Sequence, residues 1–316
     1  MIMLLTSCSH KIYNPEIDGA KYLTELLNKD IEEPAMYPFC DNLLVCGNGK
    51  VLIISPKTGK ILKKLTVASS LVAYVGNETF ILKFTDSFIV YDKDLKEIKR
   101  YECDNSKPFR EKNFITPGSE MLFTFNINDK AAIFRQSLKT GERKLLLDAV
   151  SLNVLTENRN SNYIVFSYKE NQDSAEKWSY LDLNSGEIIP LNLEGSYNNV
   201  TTDGTNVLVN KNDRNNDYLI ITPEKIIEFK ELGNYHLLND KKHLYVYNKT
   251  ICKLQILNLS GEIVYELKIP SQVDDYGYIR DEIFDLFYNE ETNSYFFIFT
   301  YKKYVPCIFE WKPEFK

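Results

Sequence analysis

The stretch Ile53-Ile54-Ser55-Pro56-Lys57-Thr58-Gly59-Lys60-Ile61 decides how this chain folds. A β-rich run ends in a polar pair, a Thr-Gly-Lys turn follows, and a second run begins. The unit returns as Gln136-Ser137-Leu138-Lys139-Thr140-Gly141-Glu142-Arg143, as Leu181-Asp182-Leu183-Asn184-Ser185-Gly186-Glu187-Ile188 and as Leu257-Asn258-Leu259-Ser260-Gly261-Glu262-Ile263. Two copies lack the glycine: Tyr91-Asp92-Lys93-Asp94-Leu95-Lys96-Glu97-Ile98 and Ile221-Thr222-Pro223-Glu224-Lys225-Ile226. Glycine supplies the positive-φ residue of a tight hairpin. Gly59 and Gly141 stand about two repeats of 41 apart, Gly141 and Gly186 about 45, and Gly186 and Gly261 about two of 37. A period near 40 carrying four short strands is that of a propeller blade.

Outward from these hairpins, short runs with period-two alternation recur from about residue 35 to the end, with no helical pattern between them. Such spacing predicts an all-β fold. The six hairpins mark the outer strands of six blades. A seventh set, Ile283–Tyr288, Tyr295–Thr300 and Pro306–Trp311, has three strands. A ring must close or leave two sheet edges unpaired, so a strand from the N-terminal region, His10–Asn14 or Ala35–Phe39, is expected to complete it. The expectation is an all-β, seven-bladed β-propeller over residues 35–316, with six blades as the alternative. Ahead of it, Asp18–Glu33 reads as one short amphipathic helix. Tyr22, Leu23, Leu26, Leu27 and Ile31 fall on one face, Asp18 caps the start and Pro34 ends it. The domains are therefore 1–8, a short signal-like segment; 9–34, a segment with the helix; and 35–316, the propeller.

Charge and composition narrow the function. The 316 residues carry 38 Lys+Arg against 44 Asp+Glu, a net charge of −6. A mildly acidic chain without a basic stripe is a poor nucleic-acid binder, because phosphate contacts need clustered Lys and Arg. No apolar run reaches the roughly 18 residues of a membrane-spanning helix. Beyond Cys8, the remaining Cys40, Cys46, Cys103, Cys252 and Cys307 show no metal-site spacing and mostly read as buried small hydrophobes, with one disulfide left open. Neither cofactor nor metal is expected.

The opening Met1-Ile2-Met3-Leu4-Leu5-Thr6-Ser7-Cys8 ends in Leu5-Thr6-Ser7-Cys8, which resembles a bacterial lipobox. The resemblance implies lipidation of Cys8 and a membrane contact through acyl chains alone. Only seven residues precede Cys8 and none is basic, so either the start lies upstream or the match is chance. Ser9 is not the Asp of the inner-membrane retention rule. The implied place is the cell envelope, as an outer-membrane lipoprotein facing the periplasm, with surface exposure open. On the hairpin repeat and this N-terminus, the chain resembles lipid-anchored β-propeller proteins of Bacteroidetes and, more loosely, quinoprotein-like propellers. It lacks the Gly-His and Trp-Asp pair of WD40 repeats and the Gly-Gly doublet of kelch repeats. With only Trp178 and Trp311, it also lacks a recurrent docking Trp.

Catalytic motifs are sparse. No Gly-x-Ser-x-Gly elbow occurs. His236 and His243 flank the turn Asn239-Asp240-Lys241-Lys242 and could meet across it, but two His make no metal site by themselves. Gly47-Asn48-Gly49 leads into a strand rather than a helix, so it is a hairpin turn and not a phosphate loop. In a propeller, the connections between blades share one face with those joining second and third strands, and binding concentrates there. Asp274-Asp275-Tyr276-Gly277-Tyr278-Ile279-Arg280-Asp281-Glu282 mixes carboxylates with aromatics in such a connection. Asn212–Asp217 and Lys107–Arg110 are expected on the same face. The candidate ligand-binding residues are Arg110, Asp213, Arg214, Asp274, Asp275, Tyr276 and Tyr278. Asp173-Ser174-Ala175 resembles the short O-glycosylation signal of Bacteroidetes periplasmic proteins. Two functions follow. One is a non-catalytic propeller binding a protein partner or an extended glycan or peptide on its loop face. The alternative is a propeller enzyme acting on glycans or peptides through Asp275 and Asp281 with Tyr276 or Tyr278, whose carboxyl separation would set the chemistry.

Overall fold

The computed structural model describes residues 17–26, 34–47, 49–68, 71–76, 78–102, 111–116, 121–126, 131–155, 163–193, 197–211, 217–229, 235–248, 251–269, 283–301 and 305–313. The first strand is β1 (Ala20–Glu25). Blade 1 follows as β2 (Ala35–Phe39), β3 (Asn42–Gly47), β4 (Lys50–Ile54) and β5 (Ile61–Thr66). Blade 2 is β6 (Leu71–Val75), β7 (Thr79–Lys83), β8 (Ser87–Asp92) and β9 (Glu97–Glu102). Blade 3 is β10 (Glu111–Thr116), β11 (Met121–Asn126), β12 (Ala131–Ser137) and β13 (Arg143–Ala149). Blade 4 is β14 (Ser151–Leu155), β15 (Tyr163–Lys169), β16 (Lys177–Asp182) and β17 (Glu187–Leu191). Blade 5 is β18 (Tyr197–Thr202), β19 (Val207–Lys211), β20 (Tyr218–Ile221) and β21 (Ile226–Phe229). Blade 6 is β22 (Tyr235–Leu237), β23 (His243–Asn248), β24 (Lys253–Asn258) and β25 (Ile263–Lys268). Blade 7 holds β26 (Ile283–Asn289), β27 (Ser294–Tyr301) and β28 (Val305–Trp311).

Each blade is a four-stranded antiparallel sheet in sequence order, and the seventh takes β1 as its fourth strand, in the order β1-β28-β27-β26. The described residues therefore form a seven-bladed, all-β propeller, and all six repeated hairpins join third to fourth strands. Packing shows that the ring is closed. Seven apolar clusters each join one blade to the next, and one of them unites blade 7 with blade 1. Period two explains how one strand serves two neighbours. On β27, Phe297 and Phe299 pack toward blade 6, while Phe296 and Ile298 pack toward blade 1. A strand buried on both faces reads as a continuous apolar run, as Tyr295–Phe299 does.

The helix expected over Asp18–Glu33 is corrected for the residues described: Ala20–Glu25 is strand β1, paired with β28 from Ala20↔Trp311 to Glu25↔Cys307. Residues 27–33 lie outside the described residues. A register shift between Tyr22 and Thr24 imitates helical spacing in the sequence. Tyr22 packs edge-on to Phe309 at 5.8 Å on one face, and Leu23 joins the blade 7–blade 1 core on the other. The open edge of β28 offers backbone partners, and tertiary pairing of this kind overrides weak helix propensity. The ring is closed from the N-terminal side as expected, but by Ala20–Glu25. His10–Asn14 lies outside the described residues, and Ala35–Phe39 is instead the innermost strand of blade 1.

Cys46 and Cys307 are buried in apolar surroundings, and burial pushes the Cys46 thiol up. Cys40 departs from the expectation: it is exposed, at a turn where its φ is 51°. Cys103 lies outside the described residues.

Candidate functional site

The topology fixes two faces. First strands run from the face of the blade-to-blade connections to the face of the hairpins, and each later strand reverses. The segments containing Arg110, Asp213, Arg214, Asp274, Asp275, Tyr276 and Tyr278 lie outside the described residues, as do Asp281 and Cys8. Their flanking strand ends are described. Arg110 falls between the end of β9 and the start of β10, Asp213 and Arg214 between β19 and β20, and Asp274–Tyr278 between β25 and β26. All three pairs of ends open on the connection face. At the base of the middle one, the Lys211 N–H donates to the Asp217 carbonyl at 2.8 Å, and Lys211 Nζ pairs with Glu228 at 2.5 Å. Asp173-Ser174-Ala175 sits on this face too, in the β15–β16 turn, where the Ser174 hydroxyl donates to the Asn171 carbonyl at 2.9 Å.

The innermost strands add polar groups that the sequence reading missed. Asn113, Asn153, Asn199, His236 and Asp285 stand in the innermost strands of five consecutive blades, each one residue before an apolar residue. Asn153, Asn199 and His236 are exposed, whereas their strand neighbours Val154, Val200 and Tyr235 are buried. The signal available was a recurrent Asn-Phe, Asn-Val, His-Leu or Asp-Leu step just after each connection.

At the blade 6–blade 7–blade 1 junction two of them, His236 and Asp285, both act on Tyr245. His236 lies opposite Tyr245 in the β22–β23 ladder, and the rings stack at 4.8 Å with 20° between planes. Protein crowded around the imidazole holds its pKa down to about 4, so the ring is neutral at pH 7. Burial, then the charge of Asp285, pushes the Tyr245 phenol up, so it stays protonated. Asp285 is buried and accepts from the backbone N–H of Met36 at 2.8 Å and of Leu286 at 2.9 Å. One carboxylate thus ties the innermost strand of blade 7 to that of blade 1. The junction therefore sets a neutral imidazole against a protonated phenol, near a carboxylate that two backbone donors engage.

The other described imidazole is likewise committed. His243 Nδ1 is 2.6 Å from Asp240 Oδ2. Burial works against the Asp240 carboxylate, but bonds from His243 and from the backbone N–H of Lys242 outweigh it and hold its pKa down. The two histidines therefore take separate partners and do not meet across the turn. That turn locks blades together instead: Asn239 exchanges two 2.8 Å bonds with the backbone of Tyr288 in blade 7, and Asn206 of blade 5 donates to the Lys241 carbonyl at 3.1 Å. Gly49 has φ 74° in the β3–β4 turn, as a hairpin requires. Among the described residues no group of three His, Cys, Asp or Glu side chains is placed to hold a metal ion.

No protein-family model matches the sequence, and no curated protein matches it. Solved structures do resemble the fold. The β-propeller domain of Myceliophteria thermophila Cps50 (Swd1) superposes with a TM-score of 0.57 at 11% identity, covering 92% of this chain and 99% of that one. The N-terminal domain of Nup159 superposes with a TM-score of 0.51 at 11% identity, covering 94% and 96%. At such identities the likeness shows the fold alone: this chain shares the β-propeller architecture.

Proposed function

We propose that the chain is a binding scaffold: a non-catalytic propeller that holds a protein partner, or an extended glycan or peptide, on its connection face. The observation that carries this reading is the commitment of the described reactive groups. His236 is neutral and stacked, His243 is tied to Asp240, and Asp285 is engaged by two backbone donors. Meanwhile the segments bearing Arg110, Asp213, Arg214, Asp274, Asp275, Tyr276 and Tyr278 all spring from strand ends of one face. A fold of this kind hosts many functions, so the function resides in the residues grafted on it.

The tether belongs to the same proposal. Lipidated Cys8 would hold the protein in the cell envelope, at the periplasmic side of the outer membrane. As the fourth strand of blade 7, β1 runs away from the hairpin face, so the chain preceding Ala20 leaves from that face. Ile17 turns back to bridge Ala20 and is buried between blades 6 and 7, and the nine residues from Cys8 to Ile17 would span at most about 30 Å. A tether at Cys8 would thus keep the hairpin face toward the bilayer and the connection face turned outward.

Cross-linking in intact envelopes tests the binding surface. A variant combining Asp274→Asn, Asp275→Asn, Tyr276→Ala and Tyr278→Ala should lose the cross-linked partner while keeping its melting temperature. Retention of the same cross-links would overturn the reading. Turnover across a glycan panel that vanishes in Asp275→Asn would establish the catalytic alternative instead. For the tether, Cys8→Ser should move the protein from the membrane to the soluble fraction, and mass spectrometry should find acyl mass on Cys8 of the parent.

A further inference from the structure

Every fourth strand of a blade turns one backbone edge to the circumference, and such edges invite another strand. Most edges here are blunted. β17 carries Pro190, which has no N–H, and β21 is four residues long. Glu97 grips Arg100 at 2.8 Å on β9, and Glu266 of β25 holds Lys253 and Gln255. Strand β5 is different. Ile61-Leu62-Lys63-Lys64-Leu65-Thr66 has no Pro, no Gly and no carboxylate, and Ile61 and Leu62 are 41% and 52% exposed. Residues 42–77 contain five lysines and no Asp or Glu, in a chain whose net charge is −6. Lys63 is held by Asp94 at 2.5 Å and by the Lys93 carbonyl at 2.9 Å. Lys57, Lys60 and Lys64 are exposed and meet no carboxylate among the described residues.

The backbone of β5 shows which groups are open. The Val67 N–H donates to the Gly49 carbonyl at 2.9 Å, Leu65 lies opposite Val51, and Lys63 opposite Ile53. In an antiparallel ladder, alternate residues turn both N–H and C=O to the partner strand. Lys64 and Thr66 therefore point theirs outward, away from β4. Leu62 is the extra residue where the register shifts between Ile53 and Ile54. Open backbone groups, exposed apolar side chains and the unneutralised Lys64 coincide on β5, with Lys57 and Lys60 in the turn just before it.

We propose that β5 is a docking edge for an extended acidic segment of a partner protein, added to blade 1 as a fifth strand. Backbone groups of Lys64 and Thr66 pair with the incoming strand, as in other cases of strand addition. Lys57, Lys60 and Lys64 meet its carboxylates, and Ile61 and Leu62 meet its apolar residues. The same lysines repel lysine-bearing edges, so the charge that selects an acidic strand also discourages self-association. This surface lies on the circumference and is independent of the connection face.

The test uses the full chain and a fluorescent ten-residue peptide of alternating Glu and Val, followed by anisotropy. Lys60→Glu/Lys64→Glu should weaken binding at least tenfold, and a Lys-for-Glu peptide should not bind. Hydrogen exchange should show the Lys64 and Thr66 amides gaining protection when the peptide is added. Thr66→Pro, which removes an outward N–H and no native ladder bond, should weaken binding too. Equal affinity for the doubly reversed variant, or protection confined to other strands, overturns the proposal. So does an oligothymidylate of equal charge that displaces the peptide as effectively, because that reveals simple ion exchange. The connection-face variant should bind the peptide as the parent does, which separates this proposal from the preceding one.

Discussion

Gly59 shows how a single atom matters in this ring. Its φ is 68°, and a Cβ there would lie 2.0 Å from the Leu23 carbonyl oxygen of β1, where nothing flexible can give way. Gly141 has φ 75° in the equivalent hairpin of blade 3, yet a Cβ there meets nothing within 4 Å. Gly141→Ala should therefore cost only the left-handed backbone strain, about 1 kcal/mol. Gly59→Ala should cost about 1–3 kcal/mol more, the range for overpacking. Urea midpoints of the two variants decide between strain alone and strain plus clash. Asp285→Ala orphans the buried Met36 N–H, and a lost hydrogen bond to a charged group costs about 1.5–3 kcal/mol. Its denaturation midpoint should fall accordingly. His236 sets a pH dependence of known sign. Its pKa falls from 6.5 to about 4 on folding, so the unfolded chain binds the extra proton between those values. Stability from this group is complete above about pH 6.5 and is lost as the pH drops toward 4. Solvent reaching the ring screens the size of the effect, so the sign is the prediction. Urea midpoints at pH 7 and pH 4.5 should differ less in His236→Gln than in the parent.

At the level of elements, legibility followed burial pattern. The third strands announce themselves by apolar runs that end in a polar turn, four of the six turns carrying Gly, and all six hairpins are where the sequence placed them. The innermost strands β10, β14, β18 and β22 escaped, because Glu111–Thr116, Ser151–Leu155, Tyr197–Thr202 and Tyr235–Leu237 are interrupted by polar residues and offer no long apolar run. Strand β1 was misread for another reason: its bulge puts Tyr22, Leu23 and Leu26 at spacings a helix would also use. The candidate binding residues were legible as composition only, since carboxylates beside tyrosines mark a segment without fixing its geometry. The polar groups of the innermost strands were not legible, because nothing local says that His236 will face Tyr245. β1 also supports a prediction of its own. Leu26 is fully buried in the core between blades 7 and 1, and its N–H donates to the Pro306 carbonyl at 2.8 Å. Leu26→Ala should cost about 2–5 kcal/mol. Differential scanning calorimetry should register it as a lowered unfolding temperature.

Across the whole molecule, each blade is too small to hide its own apolar faces and relies on the two beside it. The seam between blades 7 and 1 holds the circle, and three features converge there: β1 in the seventh sheet, the Asp285 to Met36 bond, and Gly59 against Leu23. Among the described strands, the hydrogen-bonded neighbours β1 and β28 are the ones farthest apart in sequence. At a translation rate of about 5–20 residues per second, roughly 15–60 s separate their appearance. Until Val305–Trp311 has emerged the β1–β28 ladder cannot form, so closure of the circle waits on residues nearly three hundred positions downstream of its first partner.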